Sequence, residues 1–312
     1  MNYNTIGITL CKKCTASCKI CCISADPQCE EKLNFEAIKQ YINSVKNIDY
    51  IKTISFTGGE IFLYYNELKE LIKLTRYCGK QCTLITNGFW AHNKEITLEK
   101  LQELKQCGLD ALTISYDEFH AEFVDVSNIK NILSVSRKFH IPVSLQTVII
   151  KESKNSSWLN ELNEELQDVM IDFIPCMPVG KAIENIKKEK YIKEYNIHGL
   201  YCRKSGAFSI TSDGEIWPCC SPYITETALS LGNLKNNISA EETLEIIRKN
   251  IILYMLRNYG FDYFINIVVH KLKIDLPETV ITSCELCVLL FNKENIQKFI
   301  PFIWDTIKEK QK

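Results

Sequence analysis

The feature that most constrains the fold is a regular alternation of two kinds of segment over roughly the first 175 residues. Short runs rich in Ile, Val, Thr and Leu, which are typical of β-strands, are Thr5–Leu10, Ile51–Phe56, Gln81–Thr86, Ala111–Ser115, Val143–Ile149 and Met170–Ile174. Amphipathic runs that are typical of helices are Asn34–Val45, Glu67–Tyr77, Leu98–Gln106, Asn128–Phe139 and Trp158–Leu166. For the third of these we expect Thr97 as the N-cap and Gly108 as the stop. Strands that alternate with helices form a parallel sheet with right-handed crossovers. The pattern predicts an α/β fold, a partial (β/α)6 TIM-like barrel with its chemistry at the C-terminal ends of the strands.

The alternation breaks near Pro175–Lys190, and a different pattern follows it. The segment Tyr201–Cys287 has its own cysteines, a hairpin signal at Ser212-Asp213-Gly214 and helical runs near Ala240–Arg257. We therefore expect a partial barrel over residues 1–190, a small C-terminal auxiliary domain with its own cysteines over 201–290 and a C-terminal helix within 291–312.

Bulk properties exclude several classes of protein. The formal net charge is −1, which argues against a nucleic-acid binder, and the longest apolar runs are far too short to span a membrane. The first residues carry no basic region followed by an apolar run, so we expect no signal peptide and a cytoplasmic enzyme. In a reducing compartment the 15 cysteines are better interpreted as metal ligands or reactive thiols than as disulfides.

Three cysteines follow the first predicted strand at close spacing. Cys14, Cys18 and Cys21 lie in one short loop, and thiolates are the ligands that iron–sulfur clusters use. Three thiolates on a four-iron cluster would leave one iron open for a small molecule. The alternative is a zinc knuckle in which Cys11 closes a tetrahedral site with the same three thiols.

The next three strands also end in residues that suit a ligand. Gly58-Gly59-Glu60 follows the second strand, Thr86-Asn87-Gly88 the third, and Ser115-Tyr116-Asp117 the fourth. Glycines let backbone approach a ligand closely, and a glutamate can hold an ammonium group. Because these strand ends lie at one edge of a parallel sheet, the sequence predicts a single binding site there.

These motifs together resemble the radical S-adenosylmethionine (SAM) superfamily. The CxxxCxxC loop of that family is matched by Cys14, Cys18 and Cys21, and its GGEP motif by Gly58, Gly59 and Glu60. The chain departs from the family pattern at Ile20, where an aromatic residue often precedes the third cysteine, and at Ile61, which replaces the proline after GGE.

The resemblance implies a cofactor, a cluster and a chemistry. A [4Fe–4S] cluster on the three thiols would chelate SAM and, when reduced, cleave it to methionine and a 5′-deoxyadenosyl radical that abstracts a hydrogen atom. By the same likeness Gly59 and Glu60 would hold the methionine amino group, and Ser115 and Asp117 would reach the ribose. Gly58 and Asn87 complete the predicted SAM-binding set.

A second set of cysteines lies late in the chain. Cys202 and Cys219 are followed by the Cys284-x-x-Cys287 pair, and such a set can hold zinc or a cluster. The run around Gly214 and Cys219 is similar to the SPASM/twitch auxiliary domains. That likeness implies a second, auxiliary [4Fe–4S] cluster on these four thiols.

Cys220 directly follows Cys219 and is either a buried thiol or a hydrogen-atom donor beside the auxiliary cluster. The second interpretation resembles peptide epimerases that convert L- to D-residues in ribosomally made peptides. It predicts a precursor peptide as substrate, Cys220 as the catalytic donor and an electron donor such as flavodoxin or ferredoxin. The alternatives are thioether or carbon–carbon crosslinking of a peptide, oxidation of a small alcohol, and a zinc-binding interaction protein without catalysis.

Overall fold

The structure is a computed structural model, and it describes residues 3–154, 156–202 and 206–310. The strands are β1 (Thr5–Thr9), β2 (Thr53–Thr57), β3 (Gln81–Thr86), β4 (Ala111–Ser115), β5 (Val143–Ile149), β6 (Met170–Pro175), β7 (Tyr195–Asn196), β8 (Ala207–Ile210), β9 (Glu215–Trp217), β10 (Gly232–Asn233) and β11 (Thr279–Val280). The helices are α1 (Phe35–Ser44), α2 (Tyr65–Tyr77), α3 (Lys94–Cys107), α4 (Val126–Lys138), α5 (Ser156–Leu162), α6 (Ala182–Asn185), α7 (Ala240–Lys249), α8 (Ile251–Asn266), α9 (Ser283–Phe291) and α10 (Ile300–Lys310).

The main sheet has nine strands in the order β10-β9-β8-β1-β2-β3-β4-β5-β6. Strands β1 to β6 pair in parallel with their neighbours in sequence, which confirms the predicted α/β fold of the partial-barrel type. The hairpin β8–β9 joins the other side of β1, with β8 parallel to it. The sheet thus stays open, with β6 and β10 at its two ends.

The two faces of the sheet differ in burial and in chemistry. In β1 the side chains of Ile6 and Ile8 are completely buried in the main apolar core, whereas Gly7 between them belongs to the half-buried face. Gly7 is in register with Ser55 of β2, and Ser55 with Thr83 of β3. We call this half-buried face, which carries small and hydroxyl side chains, the lumen face. Its small and hydroxyl side chains contrast with the large apolar side chains that fill the interior of a closed barrel.

Helix α3 begins earlier than the sequence pattern predicts. The expected start at Leu98 with Thr97 as N-cap is wrong, because Asn93 caps the helix by accepting a hydrogen bond from Ile96 N–H at 2.8 Å. The Thr97 hydroxyl donates instead to the Asn93 carbonyl, as threonines inside helices often do. The predicted end at Gly108 is confirmed, and this residue has φ +108°.

The C-terminal part packs onto the barrel helices without a break in the core. Helix α7 meets α1 through a 2.9 Å hydrogen bond from the Tyr41 hydroxyl to Thr243 Oγ1, and Ala240 N–H donates to Ser44 Oγ. Apolar residues of both regions belong to one buried cluster. None of the helices in the described part of the chain is long and apolar enough to cross a membrane.

Candidate functional site

The loop after β1, residues 11–33, carries the first three predicted thiol ligands, and we call it the thiol loop. Its base is held by backbone hydrogen bonds, among them Lys12 N–H to the Glu31 carbonyl at 2.9 Å. Cys14 and Cys18 lie close enough to each other and to Cys21 for their charges to interact. Burial raises the pKa of the Cys14 thiol to about 12 and raises the pKa of Cys18 as well. A bound metal would therefore have to displace protons from these thiols.

The Cys11 thiol, the possible fourth ligand of a zinc knuckle, contacts backbone carbonyls. This thiol is completely buried, lies 3.5 Å from the Lys13 carbonyl and 3.9 Å from the Glu60 carbonyl, and packs beneath Gly58. Burial raises the pKa of this thiol to about 11. A zinc knuckle would require this thiol as its fourth ligand, whereas here it contacts two backbone carbonyls.

The two glycines after β2 lie against the thiol loop. Gly59 N–H donates to the Cys11 carbonyl at 2.7 Å, and Glu60 N–H donates to the Lys13 carbonyl at 2.9 Å. A Cβ atom on Gly59 would lie 2.3 Å from the Lys13 carbonyl oxygen, and one on Gly58 would lie 3.0 Å from the Cys11 oxygen. The two glycines thus make room for the backbone of the thiol loop, and their contact with a ligand stays a prediction.

Replacement of Gly59 by alanine is expected to displace the thiol loop and to lower its iron content several-fold. The reason is that the new Cβ meets backbone, which cannot move aside as a flexible side chain would. The measurement is iron per chain after anaerobic reconstitution. Gly206→Ala is the matched control, since its Cβ would meet only the Asn4 side chain at 3.8 Å. Equal iron in both variants would contradict the prediction.

Glu60 joins the ends of β2 and β3 through its carboxylate. This side chain is buried and accepts hydrogen bonds from Phe62 N–H, from the Thr86 hydroxyl at 2.9 Å and from Asn87 N–H at 2.8 Å. Burial raises the pKa of Glu60 to about 7, against the opposing effect of these donors. Asn87 Nδ2 lies 3.2 Å from Thr15 Oγ1 and 3.8 Å from Cys14 Sγ. The predicted Glu60 and Asn87 are thus brought beside the first thiol.

Asp117 is fully buried, and both of its carboxylate oxygens are engaged by the chain. One oxygen accepts from Phe119 N–H, from His120 N–H and from the His120 ring at 2.9 Å, and the other accepts from Val148 N–H at 3.2 Å. Asp117 therefore holds the turn after β4 and the neighbouring strand β5. Ser115 is half-buried at the end of β4, so of the two residues predicted to reach a ribose it is the more accessible.

A small apolar cluster separate from the main core supports the thiol loop. Ala16 and Ile20 from the loop are buried in it with Phe119, Cys176 and Tyr191. Ile20 is the residue that replaces an aromatic side chain in the family pattern. Its role in the structure is to anchor the loop between the second and third thiols.

Sequence reasoning missed a polar clamp on the same loop. Lys181 Nζ lies 2.7 Å from both Ser17 Oγ and Asp26 Oδ2, and Lys181 N–H donates to the Cys21 carbonyl. The hydrogen bond from Lys181 holds the pKa of Asp26 well below its usual range. The preceding Gly180 has φ +57°, and a Cβ there would lie 2.4 Å from the Cys21 carbonyl oxygen. The signal in the sequence that could have indicated this clamp is the Pro178–Lys181 turn after β6.

The four late thiols line one cleft. Cys284 and Cys287 lie one turn apart on α9, whose first turn is capped by Thr282, and Cys202 and Cys219 face them. Burial raises the pKa of Cys219 and of Cys287, and the other thiols of the set add to the effect. The rest of the lining includes Ser221, Tyr223, Ile224, Thr227, Phe261 and Ser283. The fold thus brings together the whole second set.

Cys220 lies on the other side of the chain from Cys219. Cys219 lines the cleft, whereas the Cβ of Cys220 lies 3.6 Å from the position of a Cβ on Gly7, which belongs to the lumen face. Cys220 is exposed. Cys22 is a second exposed cysteine that directly follows a predicted ligand, Cys21.

Comparison with known proteins gives the following similarities. The family model of the radical SAM superfamily matches residues 8–152. YydG of Bacillus subtilis (strain 168), whose name proposes a role in peptide biosynthesis, is 39% identical over 309 residues, which cover 96% of this chain and 97% of YydG. GTP 3′,8-cyclase of Limosilactobacillus fermentum is 25% identical over 209 residues, 62% of this chain and 60% of the cyclase. The structure of BtrN with AdoMet and 2-DOIA shares the fold, with a TM-score of 0.51 at 14% identity over 84% of this chain and 89% of BtrN.

Proposed function

The chain belongs to the radical SAM superfamily, and we propose that this enzyme converts an L-residue of a ribosomally made precursor peptide into its D-form. The similarity to YydG over almost the whole of both chains supports a peptide as the substrate. The lumen face also suits a peptide, because Gly7, Ser55 and Thr83 leave space and offer hydroxyl groups for hydrogen bonds.

The residues at the C-terminal strand ends fit a cluster and SAM. Cys14, Cys18 and Cys21 would hold the [4Fe–4S] cluster, and the Glu60 carboxylate would accept hydrogen bonds from the amino group of SAM. When bound and reduced, the cluster with SAM supplies a 5′-deoxyadenosyl radical, which removes the α-hydrogen of the peptide residue. The buried hydrogen bonds of Glu60 and Asn87 hold their side chains in place for this binding.

The late thiol cleft fits an auxiliary [4Fe–4S] cluster. Its lining brings four thiols together, and thiolates are the ligands that iron–sulfur clusters use. The likeness of the run around Gly214 and Cys219 to the SPASM/twitch domains favours a cluster over zinc for Cys202, Cys219, Cys284 and Cys287. Iron and sulfide analysis of the purified protein separates the two.

Cys220 would complete the epimerisation. Its thiol transfers a hydrogen atom to the planar α-carbon radical from the opposite face, so the S–H bond breaks and a new C–H bond forms. The sulfur radical then takes up one electron and one proton, with the electron coming from a donor such as flavodoxin or ferredoxin. The observation that carries the proposal is the position of Cys220 at the lumen face beside Gly7 while its neighbour Cys219 faces the cleft.

Product mass and chirality test this function. In ordinary water the peptide should keep its mass and gain a D-residue, detected after acid hydrolysis. In D2O the exchangeable Cys220 thiol carries deuterium, so the epimerised peptide should become heavier by about one mass unit. Crosslinking or oxidation would instead make the product lighter by about two mass units, through the loss of two hydrogens. The control is the same reaction without SAM.

A further inference from the structure

The side chain of Tyr223 presents a buried hydroxyl that the fold leaves without a partner. Tyr223 is 4% exposed, and its hydroxyl has no hydrogen-bond partner among the described residues. Hydroxyl groups in protein interiors are nearly always paired, because an unpaired one loses its hydrogen bonds to water without compensation. An unpaired buried hydroxyl of this kind indicates a site for a bound group that can accept its hydrogen bond.

The neighbours of Tyr223 are already engaged elsewhere. Both oxygens of Glu285 accept hydrogen bonds, one from Lys193 at 3.1 Å and the other from Ile281 N–H at 2.6 Å. The Tyr191 hydroxyl donates to the Ala182 carbonyl at 2.7 Å. Rotation of these neighbours toward Tyr223 would leave another buried group unpaired, so the protein offers no ready partner.

The cleft of the four late thiols is the site that Tyr223 adjoins. Tyr223 lines this cleft with Cys219, Cys284 and Cys287. The Tyr223 hydroxyl is close enough to Glu285, Tyr191, Cys284 and Cys176 to interact with them electrostatically. Cys176 and Tyr191 belong to the apolar cluster that supports the thiol loop. Tyr223 thus lies near residues of both candidate cluster sites.

We propose that the Tyr223 hydroxyl donates a hydrogen bond to a sulfur atom of the auxiliary cluster and thereby raises the reduction potential of that cluster. Hydrogen bonds to cluster sulfurs stabilise the reduced, more negative state. This inference rests on the auxiliary cluster of the proposed function. Tyr223 acts as a positioning and tuning residue and takes no part in the reaction of the peptide.

The test compares wild type, Tyr223→Phe and Tyr41→Phe, each purified and reconstituted without oxygen. Tyr41 is a matched control, because its buried hydroxyl is bonded to Thr243 in the contact between α1 and α7. The readout is a redox titration followed by electron paramagnetic resonance, in which the signal of the SAM-binding cluster is identified by its response to added SAM. We expect Tyr223→Phe to shift the midpoint potential of the auxiliary cluster to a more negative value, with the SAM-binding cluster unchanged and Tyr41→Phe like wild type.

A second measurement does not depend on the variant retaining its cluster. Pulsed resonance of the reduced wild-type auxiliary cluster in D2O should show an exchangeable deuteron coupled to the spin. In protein stripped of iron, Tyr223→Phe should unfold at a higher urea concentration than wild type, because the unpaired hydroxyl is gone.

An unchanged midpoint potential in Tyr223→Phe, or no coupled deuteron in wild type, would overturn the proposed hydrogen bond and leave the auxiliary cluster standing. About four iron atoms per chain with D-residues still formed would remove the auxiliary cluster and this inference while leaving epimerisation standing.

Discussion

Cys220→Ala is expected to abolish D-residue formation while 5′-deoxyadenosine is still produced. Without the thiol, the α-carbon radical has no donor on the opposite face and either returns to the L-configuration or is quenched by solvent. We expect the rate of epimerisation to fall by a factor of at least about 100, the scale on which the removal of a catalytic group acts. The measurement is the ratio of D-residue to 5′-deoxyadenosine in a single reaction.

Cys22→Ala provides the matched control for Cys220→Ala. Cys22 is also exposed, also directly follows a predicted cluster ligand and is also absent from the predicted ligand sets. It should keep the wild-type ratio of D-residue to 5′-deoxyadenosine. Normal D-residue formation by Cys220→Ala would exclude Cys220 as the donor. Loss of epimerisation in Cys22→Ala alone would transfer the role to Cys22.

Cys18→Ala is expected to remove the SAM-binding cluster and with it all cleavage of SAM. Cys18 is buried between Cys14, Cys21 and Asp117, so no exposed side chain or water molecule can readily replace it as a ligand. Iron should fall from about eight to about four atoms per chain, since the late thiols keep their own cluster. Iron and sulfide analysis, followed by a dithionite-driven assay for 5′-deoxyadenosine, measures both losses.

Cys11→Ala distinguishes a cluster from a zinc knuckle. Its thiol contacts the Lys13 and Glu60 carbonyls and is not needed by a cluster on the other three, so this variant should keep its iron and its SAM cleavage. Because a buried sulfur is lost, we expect a free energy of unfolding lower by about 1–2 kcal/mol. Zinc in the wild-type protein, lost equally from Cys11→Ala and Cys18→Ala, would show that the thiol loop binds one zinc ion through four thiols.

Local patterns were enough to predict the barrel and the strand ends. Runs of β-branched residues separated by amphipathic segments have few compact solutions, and the parallel pairing of β1 to β6 follows from that alternation. Spacing likewise placed Cys14, Cys18 and Cys21 in one loop, because residues so close in the chain cannot lie far apart. The start of α3 was predicted too late, since Asn93 and Thr97 are both suitable caps and only the packed helix selects between them.

The roles of several polar residues depend on contacts between distant segments. Asp117 is engaged by His120 and by Val148 on the next strand, and Gly59 meets the backbone of Lys13. Neither contact has a periodicity or a spacing that could be recognised in the sequence. The clamp of Lys181 on Asp26 joins residues 155 positions apart and is of the same kind.

The sequence by itself determined the fold class, the thiols of the first loop and the family, because these depend on residue type and on short spacings along the chain. Only the tertiary structure decided that Cys202 and Cys219 meet the pair on α9, that the β8–β9 hairpin extends the barrel sheet, and that Cys219 and Cys220 face different spaces. The physical reason is that such contacts are selected by burial and by the pairing of polar groups across the whole molecule. Tyr223 is an example, since only the packed structure shows that its hydroxyl has no hydrogen-bond partner among the described residues.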